Sequence, residues 1–333
     1  MVVNFAPGCS LYERSGTQGD SGTTVPPEPR EESITSCDSR AVKEEARLSS
    51  GPSLLEFERT KEILSRVLPR APCRVVDVGG AAGAYSSWLS ERGYEAHLVD
   101  ASPRLVEEAR RRNATSGKPI ASVCVGDARQ LPQEDGFVHA ALVMGPLYHL
   151  PTAADRLLAL AEARRVLVMS GVVVAAAISR YASALDGLAR KLSVDPRFVR
   201  MRDRDLADGQ HRNETDDLNY FTTAYFHRPD DLLRELESAG FRDARVFGVE
   251  GPGWMLSDLD ARWNDAAEEG PVGCGACARM RTAHPGGERS LTWSGQKAMM
   301  PVFGLTAACG GRRTAAAQEF HRGHASAAAA RER

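Results

Sequence analysis

The residues of this chain best suited to chemistry are a short acidic and glycine-rich run, Val75-Val-Asp-Val-Gly-Gly-Ala-Ala-Gly83, and an aspartate, Asp100, that follows Gly79 by 21 residues. Gly79, Gly80 and Gly83 allow a tight backbone turn and let a ligand approach without meeting a Cβ atom. A helix that starts directly after such a turn aims the free N–H groups of its first turn at the ligand. An acidic side chain at the end of the next strand can accept hydrogen bonds from both hydroxyls of a ribose. The chemistry expected here is the holding of a nucleotide-like cofactor.

The elements that must position these residues are legible around them. Cys73-Arg-Val-Val-Asp-Val78 is short, mostly β-branched and bounded by Pro72 and Gly79, as a central parallel strand buried on both faces would be. Tyr85 to Arg92 has helical spacing and stops at Gly93, and Glu95-Ala-His-Leu-Val-Asp100 reads as a second strand. From Leu54 to Ser179 helix and strand patterns alternate, which implies parallel strands joined by right-handed crossovers, with ligands at the strands' carboxyl ends. Asp77, Gly79, Asp100, Asp127 and Gly145 all fall at such ends. The expected fold is therefore α/β, a Rossmann-like doubly wound sheet, mostly parallel, with helices on both faces.

Glycine spacing separates two cofactor classes. Nicotinamide and flavin sites favour G-x-G-x-x-G, and the second glycine of that pattern is Ala81 here. Asp77-x-Gly79-x-Ala81-x-Gly83 instead resembles the D-x-G-x-G-x-G motif of class I S-adenosylmethionine-dependent methyltransferases, with alanine in place of the middle glycine. Further segments resemble that family in order. Gly126-Asp-Ala-Arg-Gln-Leu-Pro132 is similar to its G-D-A-x-x-L-P segment after the third strand. Phe137 to Met144 resembles its fourth strand, Gly145-Pro-Leu-Tyr-His-Leu150 the loop beyond, Ala159 to Leu167 its next helix, Val172 to Ser179 its fifth strand and Phe241 to Val249 its sixth.

The resemblance is to the small-molecule type (methyltransferase-11/25-like) and spans about residues 53 to 265. It implies a site and a cofactor, S-adenosylmethionine. Asp77, Gly79, Gly80, Ala81 and Gly83 would contact the methionyl part, Asp100 with Ala101 the ribose, and Gly126, Asp127 and Ala128 the adenine, with Met144 completing the cofactor set. His149, after the fourth strand, is the candidate general base, and Tyr148 would orient the acceptor. The insert after the fifth strand, about 180–240, would form a helical lid. Within it Tyr220-Phe-Thr-Thr-Ala-Tyr-Phe-His227 offers Tyr225 and His227 to an organic acceptor; the plainer reading is that these aromatics pack the lid onto the sheet. Gly145-Pro-Leu-Tyr148 departs from the Asn-Pro-Pro-Tyr type that holds an amide or nucleobase nitrogen, which favours a small organic acceptor methylated on O, N or C.

Composition bounds the alternatives. A formal net charge of −2 over 333 residues gives no electrostatic reason to expect nucleic acid or an anionic membrane as partner. No apolar run long enough to span a bilayer occurs, so the expectation is a cytoplasmic protein, with its scattered cysteines reduced. No metal site is expected, because Cys274-Gly-Ala-Cys277 lacks a second pair of ligands. Residues 1–50, rich in Ser, Thr, Gly, Pro and Glu, read as a disordered leader, residues 51–265 as the methyltransferase domain, and residues 266–333 as an atypical basic, disordered tail. Residues 270–333 hold four Val, Leu or Ile, and nine Lys or Arg against three acids. A seventh strand is accordingly doubtful, with Val302-Phe-Gly-Leu-Thr306 as its only candidate. Two other readings follow: an impaired or partner-dependent methyltransferase-like protein, and an NAD-dependent oxidoreductase on the same fold.

Overall fold

The glycine-rich run stands between a fully buried strand and a short helix, and the rest of the fold is organised around that junction. The computed structural model describes residues 51–215, 217, 220–251, 259 and 304–310. A first helix, α1 (Gly51–Val67), leads into β1 (Arg74–Val78), followed by α2 (Ala84–Glu91), β2 (Glu95–Asp100), α3 (Pro103–Ala114), β3 (Ser122–Val125) and β4 (Val138–Val143). A single-turn helix α4 (Pro146–His149) and α5 (Ala153–Val166) precede the long β5 (Leu167–Ser179). An insert then runs through α6 (Ala182–Ala189), a 3-10 turn, α7 (Pro196–Asp208), and the short β6 (Gln210–His211) and β7 (Ala224–His227). The last elements among the described residues are α8 (Pro229–Ser238), β8 (Arg242–Gly248) and β9 (Gly304–Gly310).

The sheet runs β3-β2-β1-β4-β5 with every neighbour parallel, in the register Val76 beside His97 and Ala141 beside Val173 beyond it. Alternate residues of each strand feed opposite faces, as the pleat requires. Val75, Ala140, Leu142 and Val174 meet Leu64 of α1, Trp88 and Leu89 of α2 and Ala109 of α3. Val76, Val78, Val143 and Val173 meet Ala159, Leu160 and Ala163 of α5 and Leu232 and Leu236 of α8. Both faces of the central strands are thus covered, which is why these strands read as continuous apolar runs rather than alternating ones. The sheet is the expected doubly wound one.

The seventh strand exists. Gly304–Gly310 lies antiparallel between β5 and β8, pairing Val174 with Ala308 on one side and Phe247 with Thr306 on the other. The strand that the sequence left doubtful overlaps its candidate Val302–Thr306 from residue 304 and runs four residues beyond the end of it. A glycine-flanked Leu-Thr-Ala-Ala-Cys segment has little strand signature of its own; two unpaired edges facing each other supply what local propensity lacks. Ile178 pairs with Gly304 and also with Phe226, so β7 continues the sheet on the side where β4 has already ended. That pairing docks the insert over the carboxyl end of the sheet. Helix α8 begins with Pro229, whose fixed φ and missing N–H suit a first helical position, and its buried Leu232 and Leu236 belong to the main core. The expected leader and Cys274-Gly-Ala-Cys277 lie outside the described residues.

Candidate functional site

The carboxyl ends of β1, β2 and β3 are tied to one another by backbone bonds. The Gly79 N–H donates to the Val99 carbonyl at 2.8 Å and the Gly126 N–H to the Asp100 carbonyl at 2.9 Å. The turn between β1 and α2 uses left-handed backbone at Gly79 (φ 73), Ala81 (φ 51) and Gly83 (φ 86). A Cβ at Gly79 would lie 2.7 Å from Cδ of Pro146, and one at Gly80 would lie 2.7 Å from Oδ2 of Asp77. The glycines are therefore required twice, by the turn itself and by the close approach of α4 and of the Asp77 side chain.

Both aspartates of the motif are fully buried. Asp77 Oδ2 accepts the Ser86 hydroxyl at 2.7 Å, while Oδ1 is buried with no hydrogen-bond partner among the described residues. Asp100 Oδ2 accepts the Ala81 N–H and Oδ1 the Ser102 N–H, each at 2.8 Å. Burial raises the pKa of Asp77 to about 6, with the Ser86 bonds opposing it. Burial likewise raises Asp100 to about 7, opposed by the Ser102 and Ala81 N–H groups and reinforced by the neighbouring Asp77 charge. Two desolvated carboxylates side by side favour a cationic ligand group and disfavour an anionic one. An ammonium facing the unpartnered Asp77 Oδ1 satisfies this requirement; a pyrophosphate at the same turn would be repelled. The residues present fit S-adenosylmethionine better than a dinucleotide.

Asp127 sits at the end of β3, where its carboxylate is engaged by Arg129. The neighbouring Ala128 side chain is buried in the core with Leu131, Ala101 is fully buried, and Met144 packs against the cluster beneath α1 and α2. A Cβ on Gly126 would meet Val99 at 2.7 Å, so the close passage of β3 past β2 needs glycine there.

A cavity of about 780 Å³ is walled on one side by residues 149–156, from the end of α4 to the first turn of α5, and on the other by the insert, with Asp208, Gln210, Arg212, Thr223 and Tyr225. It brings together His149 and Tyr225 from the expected site. Tyr148 is not on its wall: the ring packs with Ile178, Phe221, Ala224 and Phe226. His227 is not on it either. It is completely buried, its Nε2 lies 3.1 Å from Glu235 Oε2 and its ring stands edge-on to Tyr225. Burial lowers the His227 pKa, and Glu235 opposes that shift. A second, smaller cavity of about 350 Å³ lies at the amino ends of β1, β2 and β4, against Pro72, Tyr94 and His139.

Sequence reasoning missed several residues that hold this site. Arg156, 2 % exposed, donates from Nε and Nη2 to Glu235 and from Nη1 to the carbonyls of Leu150 and Pro151. Its guanidinium carbon lies 3.6 Å from the centre of the Tyr225 ring, so one arginine fixes the loop after α4, α8 and the aromatic wall of the cavity. Ser86 was legible only as a small residue in the first turn of α2. Among the described residues no group of three or more His, Cys, Asp or Glu is placed to hold a metal ion, and no helix is long and apolar enough to cross a membrane.

Comparison with known proteins bears on this geometry. Residues 75–171, from β1 into β5, match the model of a methyltransferase domain family. Over that stretch the chain is similar to the methyltransferase domain family. A methyltransferase from Mycobacterium bovis, itself uncharacterized, is 30% identical over 129 residues, covering 37% of this chain and 49% of that protein. An uncharacterized 37.1 kDa protein in a transposon of Streptomyces fradiae is 45% identical over 76 residues, covering 23% of this chain and 21% of that protein. The chain thus spans at most about half the length of these curated relatives. The crystal structure of a SAM-dependent methyltransferase from Methanosarcina mazei shares the methyltransferase fold, with a TM-score of 0.50 at 16% identity, over 76% of this chain and 98% of that one.

Proposed function

We propose that the protein transfers a methyl group from S-adenosylmethionine to an oxygen or nitrogen of a small organic acceptor bound in the cavity between residues 149–156 and the insert. The observation that carries this reading is the cavity itself: about 780 Å³, bordered by His149 at the end of α4 and by the aromatic wall of Tyr225. Its volume is that of a small-molecule site. The cofactor supplies an electrophilic methyl on a sulfonium, and the protein's own task is positioning, which in ideal intramolecular systems is worth up to about 7–11 kcal/mol.

In this reading Asp77 faces the methionyl ammonium, Asp100 takes a ribose hydroxyl alongside its two backbone donors, and Asp127 accepts from the adenine amino group. His149 removes the proton of an oxygen or nitrogen acceptor. Tyr148 shapes the floor behind His149 from within the packed cluster, and Tyr225 gives the acceptor an aromatic face. His227 acts at one remove, by holding Glu235 and through it Arg156. The free thiols of Cys73 and Cys124 support a reducing, cytoplasmic setting.

The test is isothermal titration of the purified chain with S-adenosylmethionine, S-adenosylhomocysteine and NADH, with Asp100→Ala as control. Micromolar binding of the first two, weakened in the variant, is the expected result. A folded sample that binds neither, or that binds NADH in their place, refutes the reading.

A further inference from the structure

Arg129 has no part in the roles assigned above, yet its guanidinium joins two carboxylates from separate parts of the fold. Asp127 Oδ1 accepts both the backbone N–H and the Nε–H of Arg129, each at 2.9 Å, and Oδ2 accepts from Nη2. Arg129 Nη1 donates at 2.7 Å to Asp155, which belongs to the first turn of α5 and to the cavity wall. The Thr152 hydroxyl donates to Asp155 at 2.8 Å and holds it in turn. Arg129 is largely buried, with 12% of its side chain exposed against 21% for Asp127 and 23% for Asp155.

We propose that Arg129 is the positioning residue that orients the adenine-recognising carboxylate of Asp127 and links it, through Asp155, to the acceptor cavity. This rests on the role given to Asp127 above. A carboxylate on two rotatable bonds can present its lone pairs in many directions; a guanidinium fork bound to both oxygens fixes its plane. An oriented acceptor favours a purine carrying an amino group, because an oxo group in the same place would set two acceptors against each other. One guanidinium serves both carboxylates, so a change of charge at Asp155 alters the hold on Asp127.

The experiment compares binding of S-adenosylhomocysteine with S-inosylhomocysteine, in which an oxo group replaces the adenine amino group, to the full chain by calorimetry. The unmodified protein is expected to prefer the adenosyl compound by about tenfold or more. Arg129→Gln is expected to cut that preference to about threefold or less. Asp155→Asn should reduce it in part, and should have no further effect in the Arg129→Gln background. A purely structural Arg129 would shift both ligands together and leave their ratio unchanged, which overturns the proposal. An Asp155→Asn effect that is the same with and without Arg129 also overturns it. If Arg129→Gln does not fold, Asp155→Asn alone decides by whether the ratio moves. An unmodified protein with no preference removes the adenine role of Asp127, and the proposal with it, whereas Asp127→Asn abolishing a preference that Arg129→Gln keeps removes the proposal alone.

Discussion

The Asp100 carboxylate accepts the Ala81 N–H at 2.8 Å, tying the last residue of β2 to the apex of the glycine-rich turn. The same side chain takes the Ser102 N–H through its other oxygen. One residue thereby holds the turn after β1, ends β2 and fixes the start of α3, whose N-cap is Ser102. The turn is shaped from outside as well as by its own glycines.

Ala81 adopts φ 51 where the family motif has glycine. Left-handed backbone costs a residue with a Cβ about 1–2 kcal/mol, and glycine gives back roughly 0.5–1 kcal/mol through the entropy of the unfolded chain. Ala81→Gly should therefore raise the melting temperature slightly or leave it unchanged, and should retain S-adenosylhomocysteine binding. Gly79→Ala combines φ 73 with a Cβ 2.7 Å from Pro146 and should weaken that binding about tenfold or more, the equivalent of ~1.4 kcal/mol. Calorimetry and thermal melts of both variants check the pair.

The raised carboxyls predict a pH dependence. Burial carries Asp77 from 3.8 to about 6 and Asp100 from 3.8 to about 7. Between the unfolded and folded values the unfolded chain has lost protons that the folded chain keeps. These groups therefore make stability fall as pH rises from 3.8 to about 7 and stay level above. A ligand ammonium beside them favours ionisation, so binding should release protons and tighten as pH rises through this range. Titration with S-adenosylhomocysteine at pH 6.5 in two buffers of different ionisation enthalpy measures the release; a count of zero refutes it.

Glu235 neutralises a buried arginine. Its Oε1 lies 2.9 Å from Nε and 2.7 Å from Nη2 of Arg156. Removing one partner of a buried pair leaves an uncompensated charge and costs about 3–5 kcal/mol, so Glu235→Leu should lower the denaturation midpoint strongly. Asp203→Asn, which breaks an exposed pair with Arg202, should leave it essentially unchanged. Parallel urea titrations distinguish the two.

His149 and Tyr225 share the cavity wall and should separate kinetically. His149→Gln should lower turnover about 100-fold or more if it removes the acceptor proton, with S-adenosylhomocysteine affinity unchanged. Tyr225→Ala should act mainly on the acceptor KM. Steady-state kinetics with an acceptor found by screening, read as S-adenosylhomocysteine formed, gives both numbers.

The strands were legible where residue type carried the signal. β2 falls at Glu95–Asp100 as read, β1 is shorter than expected by one residue at its start, and β4 by one residue at each end. β5 starts at Leu167 rather than Val172, because Leu167 already pairs with Val138 before the irregularity near Ala140. In the insert, read only as a helical lid, the first helix spans Ala182–Ala189 and stops before left-handed Lys191. β9 was the hardest to read, since its place depends on the edges of β5 and β8 rather than on its own residues.

The sequence by itself determined the glycine-rich turn, the aspartates at the strand ends and the order of helices and strands, because each depends on neighbours within a few residues: backbone freedom at glycine, apolar periodicity, and turn chemistry. Tertiary structure alone decided which polar groups meet. Arg129 finds Asp155 26 residues away, and Arg156 finds Glu235 79 residues away. Buried charges pair with whatever partner the packing brings within reach, and no local pattern records that choice. For the same reason His149 and Tyr225 arrive on one cavity while Tyr148 and His227, equally polar in sequence, are turned into the packed interior.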